Sequence, residues 1–386
     1  MSKPLVLTCD IGTQSARALL VDPDGRIVDV VQSKYAEPYF SKEPGWAEQK
    51  PNFYFDRLCE CCRELCARSN ALLPDVIAMT ITVIRDTVVC LDANNEPLRD
   101  IILWLDKRTV DPNGAMPAKN MMLFKVAGME PTAKVVYAAS VGNWIMRHEP
   151  EIWARTAKYV MLPTYLNYKL TGNLIDSASN QIGHIPFDYK NRRWMKPGSL
   201  TRCFCDVPNE KLCDLVPSGT VIGTITDEVC ALTGIPAGLP LISTGSDKGC
   251  ETLGLAVVDS DKASISLGTT ATIQFSTTEY VEPQQFLPAY PGVLNDHYNP
   301  EIEIYRGLWL LSWFVKEFGT ADAIDAKEMG MAPEALLDQR IRDLPAGSDG
   351  LLLQPYWTAG ILHPDSLGAV IGFSDYHTRY HFYRAI

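Results

Sequence analysis

The sequence predicts an α/β protein of two domains that face each other across a cleft. Three observations predict it. Leu5 to Val21 holds two apolar runs around the polar knot Asp10-Ile11-Gly12-Thr13, and Asp22-Pro23-Asp24-Gly25 then supplies a turn. This is the pattern of a strand, a tight glycine turn and a returning strand. Ala263 to Phe275 repeats the plan around Gly268-Thr269-Thr270. The chain has 386 residues, enough for two cores. Two hairpins of this kind point to a duplicated nucleotide-binding fold. Glycine lets each turn tighten, and the turn's N–H groups and threonine hydroxyls suit an anion such as phosphate. Asp10 is placed to hold a cation's water shell.

Taken in order, residues 4–35 read as three strands joined by turns, and Pro38 to Pro51 as a loop. Asn52 to Ser69 has helical spacing. Val76 to Val83 and Thr87 to Leu91 read as a second strand pair, broken at Ile84-Arg85-Asp86. Small strands around one crossing helix fit the ribonuclease-H-like half of an actin-like fold. A Rossmann unit would need an early βαβ crossover instead. Residues 112–235 read mostly as helices and loops: Val141 to His148, Glu151 to Ala157, and Thr164 to Leu170 with Gly172 as its stop. Pro236-Ala237-Gly238 precedes the strand that delivers Asp247. Beyond the second hairpin come a strand at Ile302 to Tyr305, a helix at Trp309 to Phe318 and a charged helical stretch from Ala321 to Arg342. The expected domains are 1–245 and 246–386.

Composition narrows the function classes. Hydrophobic content of 46% and charged content of 21% are those of a globular protein. The net charge of −11 and the lack of a basic run argue against a nucleic-acid surface. No apolar run approaches the roughly 20 residues of a membrane span. Met1-Ser2-Lys3-Pro4 runs straight into a strand without a signal peptide, so a cytoplasmic protein is expected. Eleven cysteines include Cys59, Cys61, Cys62 and Cys66 on one predicted helix. They serve either as small buried side chains or, less naturally without paired C-x-x-C knuckles, as zinc ligands.

Motif order then makes a resemblance definite. Asp10-Ile11-Gly12-Thr13, Gly45-Trp46-Ala47-Glu48-Gln49, Ile102 to Arg108, His148 to Trp153, Leu162 to Leu166, Leu170-Thr171-Gly172, Gly245-Ser246-Asp247 and Leu267-Gly268-Thr269-Thr270 run through nearly the whole chain. Together they resemble the FGGY carbohydrate kinases, the sugar and polyol kinases of the actin-like ATPase superfamily. The resemblance implies two ribonuclease-H-like domains, an N-terminal one for sugar and a C-terminal one for nucleotide. It also implies ATP and Mg²⁺ as cofactors and a homodimer as a common form. Gly368 to Phe373 and His381 to Ile386 resemble the family's second signature, inside which the chain stops. The expectation is therefore an incomplete second domain, without the glycine-rich loop that packs on adenine.

Residue by residue, the resemblance implies Asp247 as the base for the substrate hydroxyl. As a residue alone, Asp247 is equally a helix N-cap. Asp10 would orient Mg²⁺ through its waters. Thr13, Gln14, Ser15 and Arg17 fall in the first phosphate hairpin, and Gly268, Thr269 and Thr270 in the second. Arg17 also reads as a surface ion pair. Arg85-Asp86 resembles the Arg-Glu pair that grips hydroxyls in glycerol kinases, where xylulose kinases more often have Met-His; a structural ion pair is the alternative. Trp104 packs on the substrate's apolar face or in the core, with Asp106 and Arg108 beside it. Lys248 replaces the polar amide or small residue usual after the acid, and either lowers the Asp247 pKa or binds an acidic substrate. The function implied is ATP-dependent phosphorylation of a sugar or polyol hydroxyl. The alternatives are a truncated, catalytically impaired sugar-binding relative and an actin- or chaperone-type ATPase, the latter disfavoured by Arg85-Asp86. A sugar-responsive repressor would need a DNA-binding extension.

Overall fold

The computed structural model describes residues 3–268, 270–284, 287–358 and 366–386. The chain divides into two compact units, one of Met1–Lys262 with Ser276–Pro300, the other of Ala263–Phe275 with Glu301–Ile386. The elements that position the site in the first unit are, in chain order, strands β1 (Leu5–Ile11), β2 (Ser15–Val21) and β3 (Ile27–Lys34), helix α1 (Phe53–Arg68), strands β4 (Val76–Val83), β5 (Val88–Leu91) and β6 (Lys158–Met161), helix α2 (Leu162–Thr171), strands β7 (Val221–Thr224) and β8 (Pro240–Ile242), and helix α3 (Asp247–Gly254).

Six strands form the main sheet in the order β7-β8-β4-β1-β2-β3. Strands β1 to β3 are an antiparallel meander, and β4 returns parallel to β1 after α1 has crossed the sheet. This is the expected ribonuclease-H-like arrangement. Every second residue of β1 is buried, and Leu5, Leu7, Cys9 and Ile11 enter the core with Leu58, Cys62 and Leu65 of α1. The helix cysteines are part of that packing. Cys59, Cys61, Cys62 and Cys66 are all buried and free, and burial pushes the thiols of Cys59 and Cys66 up to about 12. Such thiols behave as small hydrophobes. Among the described residues no group of three or more His, Cys, Asp or Glu side chains is placed to hold a metal ion.

One expectation is overturned. Strand β5 does not pair with β4; it lies in a separate four-stranded sheet between β6 and Ile101–Ile102, and Ile101–Ile102 pairs in turn with the edge strand Glu48–Gln49. The chain leaves β4 through Asp86 at φ +48, a turn conformation that β-strands do not adopt. Residues 112–235 also contain more strand than expected, with β6 and β7 each joining a sheet. The expected helices are present with shifted ends: the one expected at Glu151 to Ala157 runs Pro150–Arg155, and α2 starts at Leu162, ahead of the expected Thr164. Val141–His148 is a helix, and α2 stops on Gly172 at φ +80, where only glycine is unstrained.

In the second unit the hairpin Ala263–Leu267 and Ala271–Phe275 pairs antiparallel with Glu301–Ile304. Helices Trp309–Phe318, Thr320–Glu328, Pro333–Arg340 and Arg379–Ala385 surround Phe314, Leu337, Phe382 and Tyr383. The predicted stretch 321–342 is thus two helices, parted at Gly330 (φ +68) and restarted by Pro333.

Candidate active site

Asp247 stands at the elbow between β8 and α3. Ser246 caps the helix, its hydroxyl accepting from the Gly249 N–H at 3.3 Å, so Asp247 is the first helical residue and not the cap. Its carboxylate accepts the Lys248 N–H at 2.9 Å. The elbow is clamped from beneath: Ser246 N–H donates to the Ser179 carbonyl at 3.1 Å, Thr82 Oγ1 to the Gly245 carbonyl at 3.1 Å, and the Ser177 hydroxyl to the Thr244 carbonyl. Gly245 is required by this packing, since a methyl group there would meet Val293 at 2.7 Å and Ser179 at 3.2 Å. Burial pushes the Asp247 carboxyl above the usual carboxylate range, against the opposing charge of Arg85 and the Lys248 amide and ammonium. Lys248 therefore tempers the shift without reversing it, and its Nζ lies 2.9 Å from Glu251.

Arg85 and Asp86 form the loop between β4 and β5. The Arg85 guanidinium lies 5.3 Å from the centre of the Tyr290 ring. Asp86 takes an unforeseen partner: its Oδ1 accepts the His184 N–H at 2.9 Å, and its Oδ2 is 2.8 Å from His184 Nδ1. Burial alone would raise the Asp86 carboxyl, but the His184 imidazole outweighs it and holds the group down. His184 responds in the opposite sense: burial works against its proton, and the Asp86 charge raises its pKa on balance.

In the first hairpin the Gly12 N–H bonds the Ser15 carbonyl at 3.0 Å, which makes the tight turn. Gln14 is exposed and Ser15 buried. Asp10 and Arg17 are in register across β1 and β2, and Arg17 Nη1 is 2.6 Å from Asp10 Oδ2. The surface-pair alternative thus describes Arg17 as it stands. Trp104 is 37% exposed and donates from its indole N–H to Thr13 Oγ1 at 3.0 Å, so it is not a core residue. In the second hairpin the Gly268 N–H bonds the Thr270 carbonyl at 2.9 Å, and Thr269 lies outside the described residues.

Comparison with known proteins gives this geometry its context. Residues 5–254 match the model of the FGGY family of carbohydrate kinases, N-terminal domain. The chain belongs to the FGGY family of carbohydrate kinases. The uncharacterized sugar kinase YgcE of Escherichia coli (strain K12) is 26% identical over 387 residues, covering 100% of this chain and 71% of that protein. The xylulose kinase of Bacillus subtilis (strain 168) is 25% identical over 397 residues, 99% of this chain and 74% of its own. The crystal structure of xylulose kinase from Rhodospirillum rubrum superposes with a TM-score of 0.79 at 25% identity, covering 99% of this chain and 75% of that one. The chain is accordingly a carbohydrate kinase, a transferase that phosphorylates a sugar. Among the described residues no helix is long and apolar enough to cross a membrane.

Several FGGY stretches that are distant in sequence meet in one buried cluster. The Arg108 guanidinium lies 3.8 Å from the centre of the Trp46 ring and 4.6 Å from that of Trp144. Arg108 pairs with Glu48 at 3.0 Å and Asp106 at 2.8 Å, while Arg99 bridges Glu48 at 2.7 Å to Glu149 at 2.9 Å. Lys42 adds a contact to Glu48 at 2.7 Å. The two buried guanidiniums are thus each met by carboxylates, as buried ions require. This corrects the expectation for Asp106. Its side chain is 1% exposed and accepts from Arg108 and from the Ala47 N–H at 2.6 Å, so it shapes the loop below Trp104 and presents no oxygen to a ligand.

Sequence reasoning missed His184, Tyr189 and the buried acid Asp176. The Asp176 carboxylate accepts from Thr164 at 2.8 Å, the Ser177 N–H at 2.8 Å, Asn180 at 2.8 Å and Gln181 at 3.2 Å. The one local signal was the polar run from Asp176 to Gln181, unusual for a segment that is buried throughout.

Proposed function

We propose that this kinase transfers the γ-phosphoryl group of ATP to a hydroxyl of a small sugar or polyol. Asp247 takes the hydroxyl proton as the sugar oxygen bonds to the γ-phosphorus and the bond to the bridging oxygen breaks, releasing ADP. The observation that carries this reading is the Asp247 elbow. A carboxylate fixed at a helix start by packing from three segments, and raised by burial toward working pH, has the properties of a general base. Its neighbour Arg85 supplies charged donors to substrate oxygens, Asp86 supplies acceptors, and Trp104 offers an exposed apolar face.

The donors around the first turn fit Mg²⁺. Asp10 gives one carboxylate at the end of β1, and Thr13 adds a hydroxyl; a hard cation that keeps most of its waters needs little more from the protein. When bound, the ion neutralises charge on the nucleotide's phosphates. Asp10 would hold it through water, in competition with Arg17. Thr13, Gln14 and Ser15 would face phosphate in one hairpin, and Gly268 to Thr270 in the other. In this reading the unit of Met1–Lys262 with Ser276–Pro300, which includes Asp247, carries the sugar, and that of Ala263–Phe275 with Glu301–Ile386 the nucleotide. The eleven free cysteines support a reducing, cytoplasmic setting. A homodimer rests on the family resemblance alone.

The test is direct. The purified chain is assayed with ATP and Mg²⁺ against ketoses, polyols and aldonates, with ADP and sugar phosphate both measured. Sugar-dependent ADP release with at least one of them is expected; its absence across the panel overturns the reading.

A further inference from the structure

Asp86 and His184 are brought together by two unusual backbone positions. Asp86 has φ +48, and Gly183, next to His184, has φ +150. A methyl group on residue 183 would lie 2.2 Å from Asp86 Oδ1, so the loop closes on the carboxylate only as glycine. The Tyr189 hydroxyl holds the same residue from both sides, accepting the Gly183 N–H at 3.1 Å and donating to the Gly183 carbonyl at 2.9 Å. The result is a braced pair that remains partly open, with the His184 side chain 30% exposed and that of Asp86 27%. His184 Nδ1 is engaged by Asp86, and Nε2 takes no hydrogen-bond partner among the described residues. A histidine serving the fold alone would not need strained backbone to present one free ring nitrogen at an opening.

We propose that His184 determines substrate specificity, binding one hydroxyl of the acceptor sugar through Nε2 while Asp86 accepts from the neighbouring hydroxyl. The substrate class selected is a sugar or polyol that carries a vicinal diol besides the phosphorylated hydroxyl. This rests on the kinase reading above. The chemistry suits the pair. Asp86 Oδ1 and Oδ2 each keep a second lone pair after their bonds to His184. The Asp86 charge favours the imidazolium, which donates from Nε2; a hydroxyl can accept that bond or, from neutral imidazole, reverse it.

The test separates a substrate contact from a structural one. His184→Asn keeps a donor where Nδ1 was and removes Nε2; His184→Gln can reach the Nε2 position. Both variants and His184→Ala are assayed in the full chain with a diol sugar, its analogue lacking one of the two hydroxyls, and ATP. Expected for His184→Asn and His184→Ala is a sugar KM raised about tenfold or more, kcat within threefold and an unchanged ATP KM. Discrimination against the deoxy analogue should shrink with both, and His184→Gln should recover part of the affinity. Full recovery by His184→Asn, an equal shift of both KM values, or a sugar KM within twofold of the parent overturns the proposal. If the parent turns over no sugar, the kinase reading falls, and His184 is judged by calorimetric binding of the same sugars to the parent and His184→Asn. Equal affinities there, or no binding to either, overturn the specificity role.

Discussion

The indole N–H of Trp104 donates to Thr13 Oγ1 at 3.0 Å, joining the loop that bears the Trp-Leu-Asp motif to the turn of the first hairpin. A side chain expected beside the sugar is thereby fixed to a turn expected beside phosphate. Both lie in one unit, so a change at either position should be felt at the other.

Trp104→Phe keeps an aromatic face and removes the bond. A neutral hydrogen bond contributes roughly 0.5–1.5 kcal/mol, so the ATP KM should rise about two- to tenfold with kcat largely retained. Trp104→Ala, which also removes the face, should add a rise in the sugar KM. Steady-state kinetics in which Trp104→Phe matches the parent would show that the bond does not position the turn.

Gly183→Ala should be costly out of proportion to one methyl group. The added carbon would clash with Asp86 Oδ1 at 2.2 Å and with Met161 at 2.9 Å, at a backbone angle that L-residues avoid. A loss of about 1–3 kcal/mol is expected from the strain, with weaker sugar binding as the loop withdraws from Asp86. Urea unfolding and sugar titration on the same preparation check both. An unchanged unfolding midpoint would mean that the loop can relax without leaving Asp86.

Asp176 predicts a pH dependence of stability. Burial pushes its carboxyl up to about 6 despite four hydrogen bonds, whereas an unfolded chain releases that proton near ~3.9. Between those values the native state holds a proton that the unfolded state has lost, so stability falls as pH rises from about 4 to about 6 and stays at the lower level above. The shift corresponds to roughly 3 kcal/mol. Asp176→Asn lacks this titration. The unfolding free energy of the parent minus that of the variant should therefore decline across this window and level off beyond it. A difference independent of pH would contradict the burial of a titrating acid.

Much of this was legible in the sequence because local physics decides it. The alternation in Leu5 to Ile11 marks a half-covered strand, Gly172 marks a helix end, and the spacing of Trp309 to Phe318 marks a helix. The partner of β5 was not legible. Its apolar residues specify a strand, but only Asp86 at φ +48 turns it into another sheet. The elbow before Asp247 was marked by Gly245-Ser246-Asp247, while the helix cap lay one residue earlier than the alternative supposed. His184 escaped because its meaning lies in a contact 98 residues away, which no spacing rule reports. Asp106 and Arg108 were placed in the cleft by their motif; the structure uses them on each other, with Glu48 and Trp46 closing around the guanidinium.

The most direct measurement is the rate of sugar phosphorylation by Asp247→Asn beside the parent, with ATP affinity followed on the same protein. The amide matches the carboxylate in size and can still accept the Lys248 N–H, so the fold and the nucleotide contacts should survive while the proton acceptor is lost. A fall in kcat of about 10²–10⁴-fold is predicted, with ATP affinity within about twofold of the parent. A kcat within a few-fold of the parent would contradict Asp247 as the base.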